Sequence, residues 1–242
     1  MVLAGTMGFA TIATAEGRRP AAEYWVGIEG FRDVLATYGG ITWAPTGSLY
    51  ENGFRLRATG SFARYEGAHA FTVLRQVGNN VVEETSIEPV DGLKATARAL
   101  LGWHWQQGPW TIKAFAGLAY GSESRRSTTT GAKASGYAVG AAAALEFWHD
   151  PGSSLWSSLD LSYAVPDGEA SARGRIGYRL NERLSIGPEI AWTSTLQGSL
   201  ARAGIFVRYD NGVSEISVSL DAARTSGGAV SPFVAAQWLQ RF

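Results

Sequence analysis

From Phe54 to Phe62 the chain alternates two kinds of residue without a break. Phe54, Leu56, Ala58, Gly60 and Phe62 fall on one side, and Arg55, Arg57, Thr59 and Ser61 on the other. A period of two is the signature of a β-strand, because successive side chains point to opposite faces; no helical spacing produces it. One face is apolar and the other carries full charges. A strand that separates hydrocarbon from a polar lumen is written this way.

The same rhythm recurs along the rest of the chain. Tyr24, Val26 and Ile28 alternate with Glu23, Trp25, Gly27 and Glu29, and residues 35–43 form a second, Gly-rich and aromatic segment. Ala95, Ala97, Ala99, Leu101, Trp103 and Trp105 oppose Lys94, Thr96, Arg98 and His104. Trp110 to Tyr120 opposes Thr111, Lys113 and Phe115. Further segments at 137–147, 155–163, 172–180, 186–192, 201–209 and 213–222 turn Glu146, Asp160, Arg173 with Arg175 and Arg179, Glu189, Arg202 with Arg208, and Glu215 with Asp221 to the polar side. A last segment, residues 231–242, sets Val234, Ala236, Trp238 and Phe242 on one face and ends on an aromatic residue, as closing strands of outer-membrane barrels do. The expected fold is an all-β, closed antiparallel transmembrane barrel of about 12 strands.

The connections agree. Gln106-Gln107-Gly108-Pro109, Asn181-Glu182-Arg183 and Asp210-Asn211-Gly212 are tight-turn chemistry, and His149-Asp150-Pro151-Gly152 is a fourth short turn. All four follow even-numbered strands. The longest connections, residues 67–91 and 121–135, follow odd-numbered ones and read as outer loops, with short turns and both termini in the periplasm. A short first outer loop at 31–33 and a longer inner turn at 45–52 depart from this pattern. Tyr24, Trp43, Trp103, Trp105, Trp110, Tyr120, Tyr137 and Trp192 stand at strand ends, where a membrane barrel carries aromatic girdles and a soluble sandwich has no reason to.

Composition narrows function by exclusion. Lys plus Arg and Asp plus Glu number 21 each, so the formal net charge is zero and nucleic acid is not an expected partner. No apolar run of about 18 residues follows the N-terminal region, which excludes a helical membrane protein. With no cysteine there are no disulfides or thiolate sites. Residues 2–15 are apolar and small, and Ala13-Thr14-Ala15 before Glu16 fits a secretory cleavage site. No basic residue precedes that stretch, so it is a signal peptide or its remnant, and residues 16–242 form a single barrel. The expected location is the bacterial outer membrane, with its lipid as the surrounding partner.

Parity therefore places Arg55, Arg57, Arg98, Lys113, Arg173, Arg175, Arg179, Arg202 and Arg208 in the lumen, with Glu29, Glu146, Asp160, Glu189, Glu215 and Asp221. Two readings of this interior stand side by side. One is an ion-pair network that satisfies buried polar groups and holds the barrel's shape. The other is a polar pore whose basic stripe attracts anionic or hydroxyl-rich solutes. Hydrolysis would need a serine activated by an oriented histidine. Of His69, His104 and His149, only His104 points inward, near a turn, and none lies near a distinctive serine motif. No metal-ligand spacing or phosphate loop is present, so no cofactor is expected.

Three stretches carry a family likeness: ENGFRLRATGSFARYEG (51–67), LLGWHWQQGPWTIKAFAGLAYG (100–121) and RGRIGYRLNERLSIGPEI (173–190). Together they resemble the cellulose-biosynthesis protein BcsS family, with Ile186-Gly187-Pro188-Glu189 and the Gly102 to Gly108 turn the most specific pieces. The resemblance implies an outer-membrane component associated with bacterial cellulose production; with no catalytic motif to carry over, the expected role is a non-enzymatic accessory to cellulose synthesis or export, with cellulose or its synthesis machinery as partner. An outer-membrane lipid or glycan hydrolase and a general porin are the alternatives.

Overall fold

A computed structural model describes residues 20–77, 80–166, 168–196, 198–228 and 230–242. The segment read as a secretory signal lies outside the described residues. Every described element is a strand: β1 (Ala22–Phe31), β2 (Val34–Trp43), β3 (Gly53–Val77), β4 (Asn80–Gln107), β5 (Trp110–Ser127), β6 (Lys133–His149), β7 (Leu155–Ala164), β8 (Glu169–Arg179), β9 (Leu184–Thr195), β10 (Gly198–Asp210), β11 (Ser214–Thr225) and β12 (Val230–Arg241). Each pairs antiparallel with its chain neighbours, and β1 pairs with β12 from Glu23↔Arg241 to Phe31↔Phe233, closing the barrel. Closure leaves no unpaired edge in hydrocarbon, where such an edge could not be solvated.

The outward face is apolar all round, with Val26, Leu35, Leu101, Leu118, Ile190, Ile205 and Val218 among its exposed side chains. Aromatic residues mark its two rims. At the end that carries the termini and short turns stand Trp43, Trp103, Trp105 and Trp110; toward the other stand Tyr120, Tyr137 and Trp192. Trp110 and Tyr120 are the two girdle positions of β5. At ~3.3 Å per residue and a tilt of ~40°, the strand between them spans ~25 Å, the height of a barrel's apolar band. His149 belongs to the lower girdle, its ring 4.1 Å from that of Trp110.

Turns are built as their composition dictates. At the β10–β11 connection Gly212 takes a positive φ of 88°, Asp210 accepts from its N–H, and the Asn211 side chain accepts from Val213 and Ser214. The longer turn between β2 and β3 folds back beneath the barrel. Leu49 donates to the Pro20 carbonyl, and the Arg55 guanidinium donates to the carbonyls of Ser48 and Glu51.

The expectation of two long outer loops is corrected. Residues 67–91 mostly continue β3 and β4, which pair without interruption from Gly53↔His104 to Val77↔Asn80. Residues 121–135 likewise extend β5 and β6, paired out to Arg126↔Lys133. Strands β3 to β6 therefore rise beyond the membrane as a wall, whereas β7 to β12 stop near it. Above the membrane both faces of a strand meet water, so the apolar half of the alternation fades there while the ladder of backbone hydrogen bonds continues.

Candidate functional site

Inward-facing side chains meet across the lumen, and this is what its chemistry is built from. Lys113 on β5 reaches Glu23 on β1 at 3.8 Å and Glu146 on β6 at 3.5 Å. Arg57 on β3 is bonded to Glu146, three strands away, and its guanidinium lies 3.8 Å from the centre of the Phe115 ring. Arg98 on β4 pairs with Glu169 on β8 at 2.6 Å, a third of the way round the barrel. Arg208 on β10 lies over the rings of Trp148 and Trp156, from β6 and β7. Apart from Lys113–Glu146, which spans the β5–β6 ladder, these contacts are braces thrown across the interior between strands that share no ladder.

A second cluster is centred on Glu189, whose side chain is fully buried. Its carboxylate accepts from Arg173 at 2.7 Å, Arg175 at 2.5 Å, Arg202 at 2.9 Å and the Ser219 hydroxyl at 3.2 Å. Arg202 also holds Asp221 at 2.8 Å and lies over Phe233. Trp156 and Phe206 pack beside them, both essentially inaccessible to water. Trp156 fits because its neighbour is Gly177; a Cβ there would stand 2.1 Å from the indole. Burying this many charges is tolerable only because each meets an opposite charge or a hydrogen bond.

Toward the short-turn end Arg208 and Arg241 share Asp210 and Glu215, at 2.5 to 3.2 Å, and Arg179 pairs with Asp150. Burial raises the Asp150 carboxyl, but the hydrogen bonds from Arg179 and the Gly152 amide, with the Arg179 charge, outweigh it and leave the group below its ordinary value. Arg55 is buried against the β2–β3 turn, 3.2 Å from His104 Nδ1. Apart from Arg55, each of these bases meets an acid among the described residues.

Between these pairs lies a cavity of about 860 Å³, open at the short-turn end. Sequence parity located part of its charged lining, including Asp160, Arg173 and Arg175, but not Glu23, Asp150, Asp210 or Arg241. It missed Trp25, Trp148, Leu49, Tyr50 and Gln237, which also line it. Trp25 and Gln237 were on the inward parity, but as uncharged residues they carried no signal; Leu49 and Tyr50 sit in a turn, where parity says nothing.

The histidines are placed as follows. A guanidinium only donates, so His104 Nδ1 accepts from Arg55 and the ring proton sits on Nε2, which is buried without a partner. Among the described residues no hydrogen bond joins His104 to a serine. Asp150, beside His149 in the chain, is taken by Arg179 instead. No group of acids and histidines among the described residues could hold a metal ion.

The profile of the cellulose biosynthesis protein BcsS matches residues 23–242, from the second residue of β1 to the last of the chain. The chain belongs to the BcsS family. The match takes in all twelve strands, so the family's shared feature is the whole barrel and not one motif within it. No curated protein matches the sequence. Among solved structures, the transport unit of the autotransporter AIDA-I from Escherichia coli is similar at 10% identity and a TM-score of 0.52, over 96% of this chain and 93% of that one. A TodX mutant, a monoaromatic hydrocarbon channel, matches at 8% identity and a TM-score of 0.50, over 93% and 91%. The KdgM porin matches at 12% identity and 0.48, over 91% and 99%. At these identities the first two establish only that this BcsS-family chain has the barrel fold.

Proposed function

We propose that the protein is a non-enzymatic β-barrel of the bacterial outer membrane that serves cellulose production as an accessory, with a lumen held shut by cross-strand ion pairs when the protein is alone. Membership of a cellulose-biosynthesis family supports the role. The single observation that carries the closed state is the set of braces Lys113–Glu23, Arg57–Glu146 and Arg98–Glu169, which join strands three or four positions apart. In this reading residues 1–15 are removed on secretion, the short turns and both termini face the periplasm, and outer-membrane lipid surrounds the apolar band.

Purified protein in a planar bilayer is expected to give no steady conductance, and deletion of the gene is expected to lower the cellulose made by its host. Stable channel steps from the wild-type protein, with normal cellulose in the deletion strain, would establish a general porin instead. Hydrolysis of lipid A, phospholipid or glucan that is abolished by His104→Ala in a folded barrel would refute the non-enzymatic assignment.

A further inference from the structure

The cavity at the short-turn end has a volume within the ~300–1,000 Å³ of pockets that enclose small ligands. Almost all the charge around it is already used. Arg57 and Lys113 are matched by Glu146, Arg208 and Arg241 by Asp210 and Glu215, and Arg179 by Asp150. Asp160 is different. It projects from β7 into the cavity between Glu146 of β6 and Arg173 of β8, is open to it, and among the described residues makes neither a hydrogen bond nor an ion pair. Its lone pairs are free to accept.

Two further features face the same space. Gln237 accepts from the Tyr38 hydroxyl through Oε1 at 3.4 Å, which leaves both amide N–H groups as donors. Trp25 and Trp148, each half-buried, line it with the part of their indole surface that Arg57, Arg208 and Trp156 leave uncovered. A carboxyl acceptor, a neutral donor and aromatic surface are together suited to a neutral sugar. Adjacent hydroxyls donate to the carboxylate, ring and hydroxyl oxygens accept from the amide, and the C–H face of the pyranose packs on indole. An anionic ligand would meet bases that are already paired, apart from Arg183 at the mouth, and would lie against the Asp160 carboxyl. An apolar one would bury that carboxylate without a partner.

We propose that this cavity binds the end of a neutral, hydroxyl-rich glycan entering at the short-turn end, with Asp160 as its principal hydrogen-bond acceptor. The proposal rests on the cellulose reading above only for the glycan class, a β-1,4-glucan.

The test is calorimetric titration of the full-length, detergent-solubilised barrel with cellopentaose, and with tetragalacturonate as the charged comparison. Wild-type protein is expected to bind cellopentaose and not the uronide. Asp160→Ala should weaken binding at least tenfold, and Glu66→Ala, on the projecting wall, should leave it unchanged. If Asp160→Ala does not fold, Asp160→Asn and Gln237→Leu carry the same expectation at several-fold. No cellopentaose binding by the wild type, equal binding by the Asp160 variants, or tighter binding of tetragalacturonate would each overturn the site. These outcomes are separate from the accessory role, which fails if the deletion strain makes normal cellulose, whatever the purified protein binds.

Discussion

Glu189 is the residue on which the most interior charge converges. Arg173, Arg175 and Arg202 all donate to it, and its side chain has no contact with water. Removing one partner of a buried ion pair leaves the other uncompensated, which costs about 3–5 kcal/mol. Glu189→Gln should therefore destabilise the barrel by roughly that amount, read as a lowered urea midpoint in lipid vesicles; a change under about 1 kcal/mol would show the three arginines to be solvated after all. At the barrel's mouth Asp150 makes a pH-dependent contribution. Its folded-state pKa is lowered, against burial, by Arg179. Such a carboxylate stabilises the fold above its unfolded pKa of ~3.9, and that stability is lost as pH falls through the lower folded value. The gap in midpoint between wild type and Asp150→Asn should be widest near neutral pH and close progressively below pH ~4. Parity alone put Glu189 and its three arginines inside. It could not say that they share one carboxylate, because period two gives a side chain's face but neither its reach nor the strand it meets.

Between β8 and β9 the ladder is interrupted. Arg175↔Glu189 and Tyr178↔Ile186 are paired, but the two positions between them are not. Pro188 lacks an N–H to donate, and at Gly187 the strands draw so close that a Cβ would stand 1.8 Å from the Ile176 carbonyl oxygen. Gly187→Ala must push backbone apart, and is expected to cost about 1–3 kcal/mol, the usual range for overpacking; unchanged heat-modifiability on a gel would contradict this. The projecting part of β3 and β4 should behave in the opposite way. Past Tyr65 on β3 and Val90 on β4 these strands pair only with each other. They bury no lipid-facing or lumen-facing side chain of the band. Replacing residues 70–87 by a two-residue Asn-Gly turn keeps His69 opposite Glu88 and the bonds from Ser127 and Thr130 to Glu88. That variant should insert and unfold like the wild type. This is also where the sequence misleads: two opposed solvents make an in-membrane strand easy to read, and one solvent on both sides makes the same strand look like a loop.

Across the whole barrel the decisive property is that most interior bases are paired with nearby acids. Arg57 and Lys113 face Glu23 and Glu146, Arg98 faces Glu169, and Arg208 and Arg241 face Asp210 and Glu215. A pore lined by an unmatched basic stripe would attract anions and select for them. In the closed state proposed above, the braces both obstruct the lumen and reduce its field. Two consequences separate this arrangement from an open basic pore. The first is that cutting the braces creates a conductance: Arg57→Ala with Glu146→Ala, combined with Arg98→Ser and Glu169→Ser, should turn a silent barrel into one with resolvable channel steps. The second is that the opened channel should discriminate little between cations and anions, because each brace is removed as a charge pair and the overall balance of the lining is unchanged. Under a tenfold salt gradient its reversal potential should lie near zero. Strong anion selectivity in the quadruple variant would show that the Arg173, Arg175 and Arg202 group dominates the field despite Glu189 and Asp221. A barrel still silent after all four substitutions would place the obstruction in the Trp156, Phe206 and Phe233 packing instead of the ion pairs.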